Sequence, residues 1–291
     1  MRQLLALALL ASSLSIAPAA LADPAQASTP LPAPSSAPSA QQLDIVVDAD
    51  GFDAPSALLA GTVTLRVRST DPHGAWLGLV RLRPGVTLTR YLGNLERAMG
   101  DDPVDGGTAV ARDVDMLGGV AVADVPAAAT LAVSPGRYYL IDFKDVGLPD
   151  LARRVRPVTV LPGHAGLPPT ATTRITLTDG RFTAPEVFRG PVHVANLSRQ
   201  YNEAMLMPVR PGTSLADLDK FFTEVDAGRY PNDAPFTGGP TGVVPPSPGR
   251  SVVLDAPLPA GRYALVTWVR DLRTGRMFAA EGMRTLITVE G

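Results

Sequence analysis

The sequence predicts an all-β chain made of two tandem Greek-key β-sandwiches, each with one short helix in a connection. Three observations carry that expectation. The stretch GRYALVTWVRD at Gly261 to Asp271 has a near copy, GRYYLIDFKD, at Gly136 to Asp145. The copy belongs to an ordered series: Phe52-Asp53-Ala54-Pro55 matches Phe182-Thr183-Ala184-Pro185, Gly61 matches Gly190, and Arg83-Pro84-Gly85 matches Arg210-Pro211-Gly212. The spacing drifts one way, from 130 to 129, 127 and 125 residues, as small deletions in loops produce. Finally, short apolar runs alternate with polar residues and stop at Gly or Pro, the two-residue period of half-buried strands.

Taken in order, Met1 to Ala22 has the make-up of a secretory leader: Arg2, an apolar Leu4 to Leu10, and small residues before Asp23. Cleavage near Ala22 leaves a secreted or periplasmic chain with no transmembrane segment. Residues 23–42 are Ala, Pro and Ser with almost no charge and read as a disordered tether. The first unit is expected over 43–161. Its strands are Leu43 to Val47, the alternating stretch around Val63, Leu65 and Val67, Leu77 to Leu82, Ala128 to Val133, Arg137 to Phe143 and Arg156 to Leu161. Thr87 to Met99 is expected to be helical, with Thr87 or Thr89 as cap and Tyr91, Leu92 and Leu95 inward. Gly100 to Gly119 reads as a polar, Gly-rich loop.

A linker at 162–170 leads to a second unit, 171–291, with strands in the same order. Its helix is expected at Ser214 to Glu224, capped by Ser214, with Leu215, Leu218, Phe221 and Phe222 on its apolar side. Asp226 to Pro248 reads as a second long loop. Each unit is long enough for its own core.

Composition narrows the function. The chain of 291 residues has 26 Lys and Arg against 28 Asp and Glu, a net charge of −2. Nucleic acid, which demands clustered cations, is not an expected partner. No Cys is present, so disulfides, thiolate metal sites and cysteine nucleophiles are excluded together. No Gly-rich phosphate loop or serine nucleophile elbow occurs.

The order of strands, the GRYxL strand and the Gly282-Met283 before the last strand resemble the cupredoxin-like domain family over roughly Leu43 to Gly291. That resemblance implies a copper site made by a His, then a Cys, a second His and usually a Met. The matching positions in the second unit are Asn202, Thr267, Phe278 and Met283. In the first unit they are Ala75 and Asp142. Only Met283 retains a family-type ligand, and a blue copper centre needs a thiolate. The resemblance therefore implies the scaffold without the metal and without a cofactor.

Four residues remain as a candidate polar site: His73 in the turn-like STDPHG, Asp142 inside an apolar strand, Glu203 and Glu281. A carboxylate placed as Asp142 is must be solvated or paired, and Arg153, Arg154 and Arg156 are nearby partners. Glu203 has Arg270 or Arg284 as plain partners, or forms a polar pocket with Glu281 and Thr267. His164 and His193 read as ordinary surface residues, and Met205 and Met207 as core fillers. The function expected is an exported, non-catalytic module that binds a protein or small-molecule partner through its two long loops. The alternatives are a metal or redox protein with a non-standard site, and an extracytoplasmic enzyme.

Overall fold

Alternating burial organises the chain in the computed structural model, which describes residues 40–290. The leader and all but the last residues of the expected tether lie outside that range. Strand β1 (Gln41–Asp48) buries Leu43, Ile45 and Val47 and exposes the residues between them. It is followed by β2 (Gly51–Phe52), β3 (Ala57–Ser69), β4 (Ala75–Leu82), helices α1 (Leu88–Met99) and α2 (Pro103–Asp113), β5 (Val114–Val122), β6 (Ala127–Val133) and β7 (Gly136–Asp142). A 3-10 turn at Phe143–Asp145 and a short helix, α3 (Leu151–Arg154), precede β8 (Arg156–Ala165). The remainder comprises β9 (Thr173–Thr178), β10 (Arg181–Thr183), β11 (Val187–Phe188), β12 (Val192–Asn196), β13 (Ala204–Pro208), α4 (Leu215–Asp226), β14 (Thr241–Val243), β15 (Ser251–Asp255), β16 (Gly261–Val266) and β17 (Arg284–Val289).

Pairings in the first half have counterparts in the second. β1 and β2 form a hairpin, as do β9 and β10. β1 runs parallel to β3 with Leu43 opposite Leu65, and β9 parallel to β12 with Ile175 opposite Val194. β4 lies antiparallel to both β5 and β7, as β13 does to β14 and β16. β7 pairs with β8 and β16 with β17.

Two ladders then join the halves. β6 pairs antiparallel with β15, Val253 opposite Thr130 and Leu254 opposite Ala129. β5 meets β14 where Gly242 faces Ala121. One run of strands therefore reads β2-β1-β3-β6-β15-β12-β9-β10 and another reads β8-β7-β4-β5-β14-β13-β16-β17-β11. β3 is long enough to belong to both, since its first residues also pair with β8.

The main core lies between these runs and contains residues of both halves, among them Leu65, Leu77, Leu140, Leu177, Leu206 and Leu265. Sequence length allows each unit a core of its own; the structure instead gives the largest apolar cluster to both. A second core covers the other face of the β4–β16 run, where Ile141, Met205 and Val266 meet α1, α2 and α4. On α1, Thr87 Oγ1 accepts from the Arg90 backbone N–H at 3.2 Å, and Tyr91, Leu92 and Leu95 are buried. Ser214 and Asp217 form a reciprocal capping box on α4, which buries Leu218, Phe221 and Phe222. Leu215, expected inward, is half exposed at the helix start.

Three expectations are corrected. Gly100 to Gly119 is not a loop: it holds α2 and much of β5, so the first half carries two helices between β4 and β5, and α3 besides. The sequence hides α2 because two glycines sit inside it, each at a cost of about 1 kcal/mol in helix propensity. Tertiary contact explains them. A Cβ on Gly106 would lie 2.5 Å from the backbone N of Ala98 on α1, so glycine lets the helices touch. Asp113, at the end of α2, accepts two hydrogen bonds from Arg90 and one from Asn94 on α1. In the segment Asp226 to Pro248, Thr241–Val243 forms β14. β8 continues to Ala165, into the first residues of the segment expected as the linker.

Gly106→Ala tests the helix contact. Its gain in propensity should be overridden by backbone overlap with α1, for a net loss of about 1–3 kcal/mol in urea unfolding. Unchanged or increased stability would show that α1 and α2 do not pack backbone to backbone.

Candidate functional site

Asn202 precedes β13 and Thr267 follows β16; Phe278 and Met283 lie in the segment leading to β17. All four are buried. Three of them touch. The Thr267 hydroxyl donates to Asn202 Oδ1 at 2.9 Å, and the Asn202 amide N–H donates to the Met283 sulfur at 3.4 Å. Asn202 Oδ1 also accepts from the Glu203 backbone N–H at 2.8 Å, and Thr267 Oγ1 accepts from Val269 N–H at 3.2 Å. Phe278 joins through its backbone, accepting from Met283 N–H at 2.8 Å, while its ring belongs to the main core. The Asn and Thr polar atoms are engaged with one another or with the backbone. A thioether is a weak, soft donor, so this group offers no strong anionic ligand to a metal.

The first half brings the matching positions together differently. Asp142 Oδ1 accepts from the backbone N–H of Trp76, the residue after Ala75, at 2.8 Å and from Lys144 N–H at 3.0 Å. Its other oxygen is buried and has no partner among the described residues. Burial raises its pKa, and the two backbone N–H bonds oppose that shift. The arginines expected to pair with it are engaged elsewhere: Arg154 with Asp145 and Asp150, and Arg156 with the Arg153 carbonyl.

The four polar candidates do not form one site. His73 is exposed in its turn, and its backbone N–H donates to Asp71 Oδ1 at 2.7 Å. Glu281 is exposed and accepts from the Thr274 hydroxyl at 2.8 Å. Asp142 and Glu203 are the buried pair of the four. No group of three or more His, Asp or Glu placed to hold a metal occurs among the described residues. No helix among them is long and apolar enough to cross a membrane.

Glu203 marks a feature that the sequence does not reveal. It lines a cavity of about 260 Å³ where the β5–β14 contact meets α1 and α2. Aromatic side chains form part of the wall: Trp76, Phe143, Tyr201 and Trp268. Glu203 Oε1 accepts from the backbone N–H of Trp268 at 2.7 Å. None of the ion pairs among the described residues includes Glu203. Arg270 lines the same cavity, but its guanidinium is held by Asp226 and the Gly275 carbonyl, both at 2.9 Å. Arg284 pairs with Asp219. Burial without a cation pushes the Glu203 carboxyl up to about 7, and the Trp268 N–H offsets only part of that. Tyr201 is raised to about 12, mainly by burial and then by the nearby Glu203 charge. Both segments that the sequence presents as long loops supply wall residues, including Pro103, Val110, Pro240 and Val244. Each is an ordinary apolar residue in its own stretch, so only folding makes them neighbours.

No family model matches the chain, and no curated protein matches it. Several solved structures resemble it loosely. Auracyanin from Roseiflexus castenholzii is 19% identical, covering 42% of this chain and 100% of its own, with a TM-score of 0.25. A blue copper oxidase from Nitrosomonas europaea is 14% identical over 86% of each chain, with a TM-score of 0.24. A copper nitrite reductase from the same organism is 12% identical over 86% of this chain and 94% of its own, with a TM-score of 0.23. Likenesses this loose place the chain in no family.

The buried carboxyl sets a pH dependence. Glu203 titrates near 7 when folded, against 4.5 as its ordinary value. Its folded form therefore holds a proton that the unfolded chain releases between those values. Stability from this group is greatest below pH 4.5, falls as pH rises to 7, and is level above that. The loss is roughly 3 kcal/mol. Glu203→Gln should remove this component, so urea unfolding at pH 5 and pH 8 should differ less in the variant than in the parent. Equal differences in the two proteins would place the Glu203 carboxyl in a solvated setting.

Proposed function

We propose that this chain is an exported, non-catalytic binding protein built on two tandem cupredoxin-like domains, 43–161 and 171–291, without type-1 copper. Residues 1–22 serve as the leader, 23–42 as the tether and 162–170 as the linker. The observation that carries the reading is the contact of Asn202, Thr267 and Met283. Residues at the positions matching copper ligands are spent on hydrogen bonds to one another, and the chain has no thiol to replace them. What supports a binding role is the cavity beside them, whose walls come from both halves and both long connecting segments. A shaped, largely apolar recess, with no group of metal-ligating residues among the described residues, suits capture of a ligand.

Copper uptake tests it from two sides. The full chain, incubated with copper salts and dialysed, should retain well below one copper per chain and show no intense visible band from thiolate to copper. The variant Asn202→His, Thr267→Cys, Phe278→His, with Met283 left in place, should bind copper and turn blue. Stoichiometric copper in the parent would overturn the copper-free reading. A folded triple variant that stays colourless would overturn the correspondence of these positions with the ligands.

A further inference from the structure

Trp76, Tyr201 and Trp268 pack against the second core, but the carboxyl set among them is not explained by packing. Glu203 is 6% exposed and has no counter-cation among the described residues, although an unpaired buried carboxylate is costly. One oxygen takes the Trp268 N–H; the other makes no hydrogen bond among the described residues. The two tryptophans of the whole chain, Trp76 and Trp268, both line the same cavity. Each is anchored through its backbone N–H to a buried carboxyl, Trp76 to Asp142 and Trp268 to Glu203. Trp268 is held further by edge-to-face contacts with Phe221 and Phe222, at 6.3 and 5.2 Å between ring centres. Such rings are fixed in advance and lose little freedom when a ligand arrives.

We propose that this cavity binds a small organic amine: an ammonium group on a compact apolar or aromatic body, with Glu203 as its counter-charge. A cation gains from aromatic faces as well as from a carboxylate, and the Trp, Tyr and Phe walls supply those faces. An anionic ligand would meet Glu203, while the Arg270 guanidinium is already held by Asp226 and Gly275. A sugar would leave many hydroxyls facing Met99, Met116, Met205 and Val244. The volume of about 260 Å³ leaves room for a small organic molecule rather than a single water. Binding requires the ionised carboxylate, so affinity falls wherever a proton occupies Glu203. Among the described residues, no charged side chain other than Glu203 and Arg270 lines the cavity, and Tyr201 stays neutral throughout the neutral range. This inference rests on the binding role proposed above for the same cavity and not on the absence of copper, so its failure and a failure of the copper test are distinguishable.

The test titrates the full chain with phenethylamine, 2-phenylethanol and phenylacetate, which share a body and differ in charge. Intrinsic fluorescence reports binding directly, because both tryptophans wall the cavity. Phenethylamine should saturate with at least tenfold higher affinity than the alcohol, and phenylacetate should bind most weakly. Between pH 6 and pH 8 the amine should tighten about tenfold, as the fraction of ionised Glu203 rises while the ammonium keeps its charge. Glu203→Gln should abolish both the preference and the pH dependence, with near-UV circular dichroism confirming its fold. Equal or absent binding of the three probes, or an amine preference that survives in folded Glu203→Gln, overturns the proposal. If that variant does not fold, a flat pH profile in the parent chain overturns it equally.

Discussion

The antiparallel pairing of β6 with β15 is the contact on which the rest of this structure depends. Without it, β6 and β15 would each present unpaired backbone along an edge, and each half would end in open strands. With it, a run of strands continues from one half into the other. The β5–β14 contact does the same for the second run. Side chains reinforce the join: Ser247 and Met116 exchange backbone and hydroxyl bonds at 2.8 and 2.9 Å, and Arg250 pairs with Asp115. The main core then gathers residues from both halves, since the faces of both runs point into it.

That join also positions the cavity. Trp76, Met116 and Phe143 come from the first half, and Glu203, Met205 and Trp268 from the second. They face the same way because strands β4, β5, β14 and β13 are neighbours in one run. Helices α1 and α2 supply the remaining wall, and their close approach at Gly106 sets how far they reach over it. A carboxyl at this place is shielded from water by packing on several sides. Its raised pKa is thus a property of the assembled join rather than of any local sequence.

The two halves treat equivalent strand ends in contrasting ways. Thr267 and Asn202 satisfy each other, so the second half has a closed, neutral cluster beside the main core. Asp142 retains a carboxyl with one oxygen bonded and one bare, held by two backbone N–H groups. Both solutions place a polar group where an apolar strand ends, and both use it to pin the segment next to it. A hydroxyl–amide pair can do so without charge, whereas the carboxyl must accept a desolvation cost.

Strands, turns and the ends of α1 and α4 were legible in the sequence because their signals are local: alternation in Leu43, Ile45 and Val47, caps at Thr87 and Ser214, and the repeated GRY turns. Helix α2 was not, because Gly106 and Gly107 oppose a helix locally and make sense only against α1 and Tyr201. Asn202, Thr267 and Met283 were grouped only through the resemblance to the cupredoxin-like family; no local pattern in the sequence joins them. The separation of His73 and Glu281 from Glu203 was not legible either, since a side chain's exposure depends on what packs over it. By itself, then, the sequence determined a predominantly β chain with an internal echo and no thiol to hold copper. Tertiary structure alone decided the shared core and the carboxyl-bearing cavity, because both arise from contacts between residues far apart in the chain, those of the β6–β15 and β5–β14 joins by more than a hundred positions, where no local periodicity or propensity carries information.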